Sequence, residues 1–234
     1  MVGRFLCLCA WLAAGPASAD ISRYTENNVL HVVAHEIGHA FVREFDIPIL
    51  GNEEVMADAF ATALLWREMP DRLPQIIADR TAQMRSEGDK ESPFSEYPDD
   101  VWRAAQTICL FYALDPQSHF DLAQELGIGE FDGDCADRGT EIARSWRRVL
   151  AAEAMPQDAR VTEVRAQIDD DLRVEFTPSP EFGEAVFSLL SGIDWHSQIT
   201  LAFERCDGTA SWARNGRRIT ICDAYVQRFE EAGP

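Results

Sequence analysis

The chain has little basic charge and almost no lysine. Lys90 is its one lysine, and 21 lysines and arginines stand against 40 acidic residues, for a formal net charge of −19. A chain this acidic lacks the basic face that neutralises nucleic-acid phosphates or holds an anionic membrane surface. After residue 19 no apolar run is long enough to span a bilayer. There is no internal repeat and no low-complexity tract, which excludes solenoid and collagen-like architectures. No C-x-x-C pair is present, so the cysteines do not have the spacing of a structural zinc site. What is left is a chain of 234 residues, 46% of them hydrophobic, sufficient for one sizeable core.

Residues 1–19 read as a leader rather than as fold. Arg4 supplies a basic start, Phe5 to Gly15 is an apolar run of signal-peptide length, and Ala17-Ser18-Ala19 is an A-x-A cleavage site. The expected mature chain begins at Asp20, is secreted or periplasmic, and has no stable membrane insertion after cleavage. Cys7 and Cys9 leave with the leader. The four cysteines that remain, Cys109, Cys135, Cys206 and Cys222, read as two disulfides in an oxidising compartment. Of the three pairings, the two local ones, 109–135 and 206–222, are expected.

The coarse reading is α+β, with a mainly helical body over 20–155 and a small α/β unit over 156–234 packed into the same domain. Helical periodicity marks 27–45, 53–69, 73–85, 101–114, a short helix ending near 126, and 135–154. After Met155-Pro156 the pattern turns to strands. Leu172 to Phe176 and Ile199 to Phe203 alternate, and Pro180 to Leu190 reads as a helix between them. Ser211 to Arg214 and Arg217 to Ile221 flank Asn215-Gly216, a hairpin signal because both turn positions tolerate positive φ.

The chemistry concentrates in His35-Glu36-Ile37-Gly38-His39. Residues i and i+4 share one helix face, so His35 and His39 can offer imidazoles to one metal ion, with Glu36 beside them as a base. Val42 and Phe45 stand where a metzincin would carry glycine and histidine, which excludes that extension. The next helix opens Glu53-Glu54-Val55-Met56-Ala57-Asp58. Glu54 can be the third ligand, with Glu53 its rival, and Asp58, one turn on, can accept a hydrogen bond from a ligand histidine. His31 lies too far along the axis to join His39 on one tetrahedral ion and is expected to be packed. His119 and His196 read as ordinary surface residues, Glu230-Glu231 as a solvated acidic face, and Tyr97 as a loop residue that could donate to an oxyanion.

These residues carry a resemblance. HExxH followed by Glu-x-x-Ala-Asp is similar to the gluzincin zinc peptidases, the thermolysin-like group in the broad sense. HEIGHAF, GNEEVMADAFA, Cys206 and RRITIC ending at Cys222 resemble, more closely, a family of uncharacterised bacterial proteins classed as metallopeptidases by motif. That family more often has arginine where this chain has Asn52, and an aromatic-Glu pair where it has Asp223-Ala224. The resemblance implies a zincin-like body, one Zn2+ per chain and a peptide or protein substrate. The expected function is hydrolysis of a peptide or similar amide bond with Glu36 as general base and His35, His39 and Glu54 on zinc. The alternative is an exported zinc-binding or inactive peptidase-like protein that acts through partner binding.

Overall fold

The computed structural model describes residues 21–49, 51–88, 99–155, 164–172 and 178–233. The expected leader, Tyr97, and residues 173–176 of the strand read from 172 lie outside them.

Helix α1 (Arg23–Glu44) forms the axis of the molecule. Ser22 caps it by accepting from the Thr25 N–H. From Thr25 to Val42 every residue but His39 is buried. A helix hidden on all sides must satisfy its polar groups internally. Asn27 accordingly donates to Asp79 at 2.6 Å and accepts from Arg72 at 2.9 Å. Glu26 accepts from the Ser179 N–H at 2.9 Å and from Arg72 at 3.1 Å. Glu230 is not merely a solvated charge, as the sequence suggested: it accepts from the Ser22 N–H at 3.1 Å and from Thr25 Oγ1 at 2.5 Å, tying the far end of the chain to the start of α1.

Around α1 pack α2 (Glu53–Glu68, capped by Asn52), α3 (Leu73–Glu87), α4 (Asp100–Leu114, capped by Asp99), α5 (Pro116–Glu125, capped by Asp115) and α6 (Asp132–Ala152). These agree with the helices read from periodicity to within a few residues. Beyond them come β1 (Val164–Ile168), α7 (Pro180–Ser191), β2 (Ile199–Glu204), β3 (Ala210–Ala213), β4 (Arg218–Cys222) and α8 (Asp223–Ala232). The sheet order is β1-β2-β4-β3, with β1, β2 and β4 parallel and β3 antiparallel to β4. Ile199, Leu201, Phe203, Ile219 and Ile221 point from β2 and β4 into a hydrophobic cluster shared with α1, α2 and α7. The fold is therefore α+β, mainly helical with a small mixed sheet.

Three elements differ from or add to the sequence reading. Strand β1 over Val164–Ile168, which carries only weak alternation, was not read from the sequence. The β3–β4 pair is antiparallel as expected, but its connection is a 3₁₀ turn over Arg214–Gly216 followed by Arg217 at φ 45°, so arginine takes the left-handed position that Asn-Gly was expected to supply. Helix α8 was not read from the sequence; its buried face is only Tyr225, Val226 and Phe229 with Asp223, too short a stripe to stand out.

Both expected disulfides are present, Cys109–Cys135 and Cys206–Cys222. The first ties α4 to α6 one turn from Gly139. A Cβ on Gly139 would sit 2.4 Å from the Ala113 Cβ and 3.3 Å from the Cys109 carbonyl, so only glycine allows this approach. Gly133 on the same helix has nothing within 4 Å of the corresponding position. Two glycine-to-alanine changes on α6 should therefore act in opposite directions. Gly139→Ala should lower stability by about 1–3 kcal/mol, because the cross-linked pair cannot move apart to relieve overpacking, and Gly133→Ala should raise it by about 0.5–1 kcal/mol. Denaturant unfolding of both variants checks this; a stable Gly139→Ala would show that the pair does yield.

Candidate metal centre

The site exists because α1 and α2 cross without a side chain between them. A Cβ on Gly38 would lie 3.1 Å from the Ala57 Cα and 3.2 Å from Phe60 Cδ1. Glycine at this point costs helix propensity, as the sequence implied, and in exchange lets the backbones touch. The contact brings the i, i+4 pair His35 and His39 of α1 against the i, i+4 pair Glu54 and Asp58 of α2.

The outer nitrogens of the two rings are each held by a carboxylate. His35 Nδ1 lies 2.8 Å from Asp58 Oδ1, and His39 Nδ1 lies 3.1 Å from Glu53 Oε1. An ionised carboxylate only accepts, so each Nδ1 carries the hydrogen, and each neutral ring turns the lone pair of its Nε2 inward. The two Nε2 atoms are 3.1 Å apart, and they lie 3.2 and 3.4 Å from the two oxygens of Glu54. One atom from each of His35, His39 and Glu54 can be chosen so that all lie within 4.8 Å of one another. Three acceptors this close require a cation between them, whether a proton or a metal ion.

The titration behaviour follows from that demand. Burial works against a charged His35, yet the Asp58 carboxylate, with help from Glu54, raises it to about 9. Burial also works against His39, and its hydrogen bond to Glu54 still carries it above the ordinary histidine value. Burial would raise Glu54, but its bonds to the two rings hold it far below the usual carboxylate range. Glu36 goes the other way. It is buried beside the cluster, and that burial pushes it above an ordinary glutamate while the two rings pull it back in part.

Arg103 supplies the outer support and was not picked out in the sequence. Its Nε donates to Asp58 Oδ2 at 2.7 Å and its Nη2 to Asp58 Oδ1 at 2.8 Å. This two-pronged contact fixes the plane of the carboxylate that orients His35. Burial opposes the charge on Arg103, but Asp58 outweighs it. The available signal was an arginine three residues into an otherwise apolar helix, since an arginine there is seldom buried unpaired. Arg43 plays a lesser part at the rim, donating to Glu53 at 2.5 Å.

The structure thus brings His35, His39 and Glu54 together and sets Asp58 behind His35. Glu53, the rival third ligand, instead faces the outer nitrogen of His39. His31 is packed, with 1% exposure and no hydrogen-bond partner for either ring nitrogen among the described residues, and burial together with Arg80 lowers its pKa to about 3. His119 is not a surface residue: it is buried in α5, stacked on Phe111, with Nδ1 2.6 Å from the Phe111 carbonyl. His196 is exposed, as expected.

A family model described as “Putative metallopeptidase” matches residues 12–150. The chain belongs to that family. No curated protein and no solved structure matches the chain. The matched stretch holds α1 to α5 and α6 as far as Leu150, and with them His35, Glu36, His39, Glu54, Asp58 and Arg103. The sheet and α8 lie beyond it.

Two outcomes follow from this geometry. Asp58→Asn should weaken metal binding about 10- to 100-fold. It should also destabilise the fold by about 1–3 kcal/mol, because Arg103 loses its closest counter-ion and keeps only Asp100 at 3.4 Å and Glu54 at 3.8 Å. Glu53→Gln, on a half-open carboxylate, should weaken binding less and leave stability nearly unchanged. Chelator competition and thermal melts separate the two, and equal effects would show that Arg103 does not lean on Asp58.

The second outcome concerns pH. In the metal-free chain His35 is raised from 6.5 to about 9. Its contribution to stability is therefore fully present below about pH 6.5 and is lost as pH rises through about 9. A metal ion must displace the same proton, so metal affinity should climb over this window while the metal-free chain loses stability. Affinity that stays flat from pH 6.5 to 9 would remove His35 from the ligand set.

Proposed function

We propose that this protein is an exported zinc-dependent peptidase that cleaves peptide or similar amide bonds. The observation that carries the reading is the convergence of three acceptor atoms, two imidazole and one carboxylate, at the wall of an open cleft. Two nitrogen ligands and one oxygen ligand suit zinc, and three protein ligands leave a coordination position for water, as catalytic sites require. Among the described residues no fourth histidine, cysteine or carboxylate joins the group. Its nearest acidic neighbours, Glu53 and Asp58, are turned to the outer nitrogens. That argues against a closed structural site and hence against the alternative of a purely metal-storing protein. The two disulfides favour an oxidising compartment. No helix among the described residues is long and apolar enough to cross a membrane.

The cleft has a volume of about 600 Å³ and is bounded by α1, α2, α3, α4, β3 and α8. Among the described residues strand β3 pairs with β4 alone, and Thr209 to Trp212 line the cleft. A free edge can take up an extended peptide by main-chain hydrogen bonding, which fits the peptide substrate that the family implies.

When bound, zinc would acidify its water and polarise the scissile carbonyl. Glu36, whose burial raises its carboxyl above that of an ordinary glutamate, accepts the proton of the attacking water and passes it to the departing amine. Asp58 and Glu53 hold the two rings in the tautomer that presents Nε2 inward, and Arg103 keeps Asp58 ionised and aligned.

Chemistry and metal binding should separate by mutation. Glu36→Gln should keep about one zinc per chain and lose at least about 10²-fold in turnover on a peptide library. Glu54→Ala should lose most of the zinc, and activity with it. Metal content by mass spectrometry of the native protein distinguishes them. A Glu36→Gln protein that arrives empty, or one that remains fully active, would overturn the role given to Glu36.

A further inference from the structure

The end of the cleft nearest α3 and α8 holds a buried cation that the proposed mechanism does not use. Arg80 lines the cleft, is 5% exposed, and has neither Nε nor Nη1 hydrogen-bonded among the described residues. Its Nη2 donates to the Tyr225 hydroxyl at 3.3 Å, and its guanidinium stands 5.9 Å from the centre of the Phe229 ring. Among the described residues no carboxylate forms an ion pair with it, in a chain as acidic as this one. Glu87, on the same cleft wall, accepts instead from Gln83 at 3.1 Å. Beside Arg80 are His31, also without a partner at either nitrogen, and Tyr225, whose hydroxyl accepts from Arg80 and keeps its own hydrogen to donate. Arg228, on the far side of Tyr225, lies 4.6 Å from that ring centre.

A desolvated guanidinium with no anion is costly, and arginines in this position are normally paired. Arg80, His31 and Tyr225 are all donors, and they line one cavity. Such a set is complementary to a carboxylate, which can accept from all three at once. The distance to the metal cluster is set by α1: His31 is four residues, one turn and about 6 Å along the axis, before His35. An extended peptide covers that in one to two residues.

We propose that Arg80, with His31 and Tyr225, is a carboxylate-binding subsite that anchors the substrate one to two residues from the bond that is cut. This deepens the peptidase reading and rests on it. The carboxylate is either the chain terminus, which would make the enzyme a carboxypeptidase releasing one or two residues, or an acidic side chain at that position. In both cases the subsite selects an anion in a protein that otherwise repels anions.

The test is binding, so it does not depend on turnover. Full-length protein is treated with chelator to stop cleavage, its fold is checked by circular dichroism, and peptides are titrated by calorimetry. Three probes are used: an N-acetylated tetrapeptide with a free terminal carboxylate, the same peptide as its terminal amide, and an amide whose last residue is glutamate. The free acid should bind at least 10-fold more tightly than the plain amide. Arg80→Gln should erase that difference, whereas Arg144→Gln, on the exposed face of α6, should leave it intact. If the glutamate amide binds like the acid, the subsite reads a side chain; if it binds like the plain amide, it reads the chain terminus. Equal binding of acid and amide to the wild-type protein, no binding of either, or a preference that survives Arg80→Gln would overturn the proposal. Should Arg80→Gln fail to fold, the wild-type comparison together with Tyr225→Phe, which should reduce the preference, decides. Failure here leaves metal content and the behaviour of Glu36→Gln untouched, so it can be told apart from failure of the peptidase reading.

Discussion

The rest of the site depends on one contact, the side-chain-free crossing of α1 and α2 at Gly38 and Ala57. Each helix carries its functional residues four apart, and an i, i+4 pair forms a short ridge along one face. Only when the backbones nearly touch do two such ridges come within hydrogen-bonding reach along their whole length. His35 then meets Asp58 and Glu54, and His39 meets Glu54 and Glu53, with no intervening layer of side chains. A larger residue at 38 would push the two helices apart, and with them every distance in the cluster.

Charge is arranged around that crossing in alternating shells. The innermost positions are acceptors and call for a cation. Behind them stand two carboxylates, Asp58 and Glu53, that fix the rings, and behind those stand two arginines, Arg103 and Arg43, that fix the carboxylates. Alternation of this kind lets several ionised groups share a poorly solvated region without any of them being left uncompensated. It also explains why Glu54 and Asp58 stay ionised in spite of their burial, whereas for Glu36 burial outweighs the pull of the two rings and Arg103 and shifts it upward.

The C-terminal elements complete the cleft rather than the cluster. Helix α8 brings Tyr225 against Arg80 of α3, and β3 lines the cleft. The anchoring of this region is shared between the Cys206–Cys222 bond at the end of β4 and the contact of Glu230 with the first turn of α1. The helices that carry the cluster lie inside the stretch matched by the family, and the sheet and α8 lie outside it.

The sequence by itself determined the elements and the inner chemistry that depends on local spacing. Helix periodicity and prolines located α1 to α7, and the spacing of the cysteines pointed to both disulfides. The four-residue steps of His35–His39 and Glu54–Asp58 identified the face each helix would show, because those relations lie within a single helix and survive any packing. What lies between helices was not legible. That Glu53 would serve the outer nitrogen of His39 and not the inner one, that Arg103 would come from α4 to hold Asp58, that His119 would be buried against Phe111, and that Arg80 would end beside Tyr225 without an anion are all decided by how elements distant in sequence meet. Strand β1 and helix α8 escaped for a related reason: their apolar stripes are too short to be distinctive until the sheet and α1 give them a surface to cover. Local periodicity specifies which side chains share a face; only tertiary packing decides what that face meets.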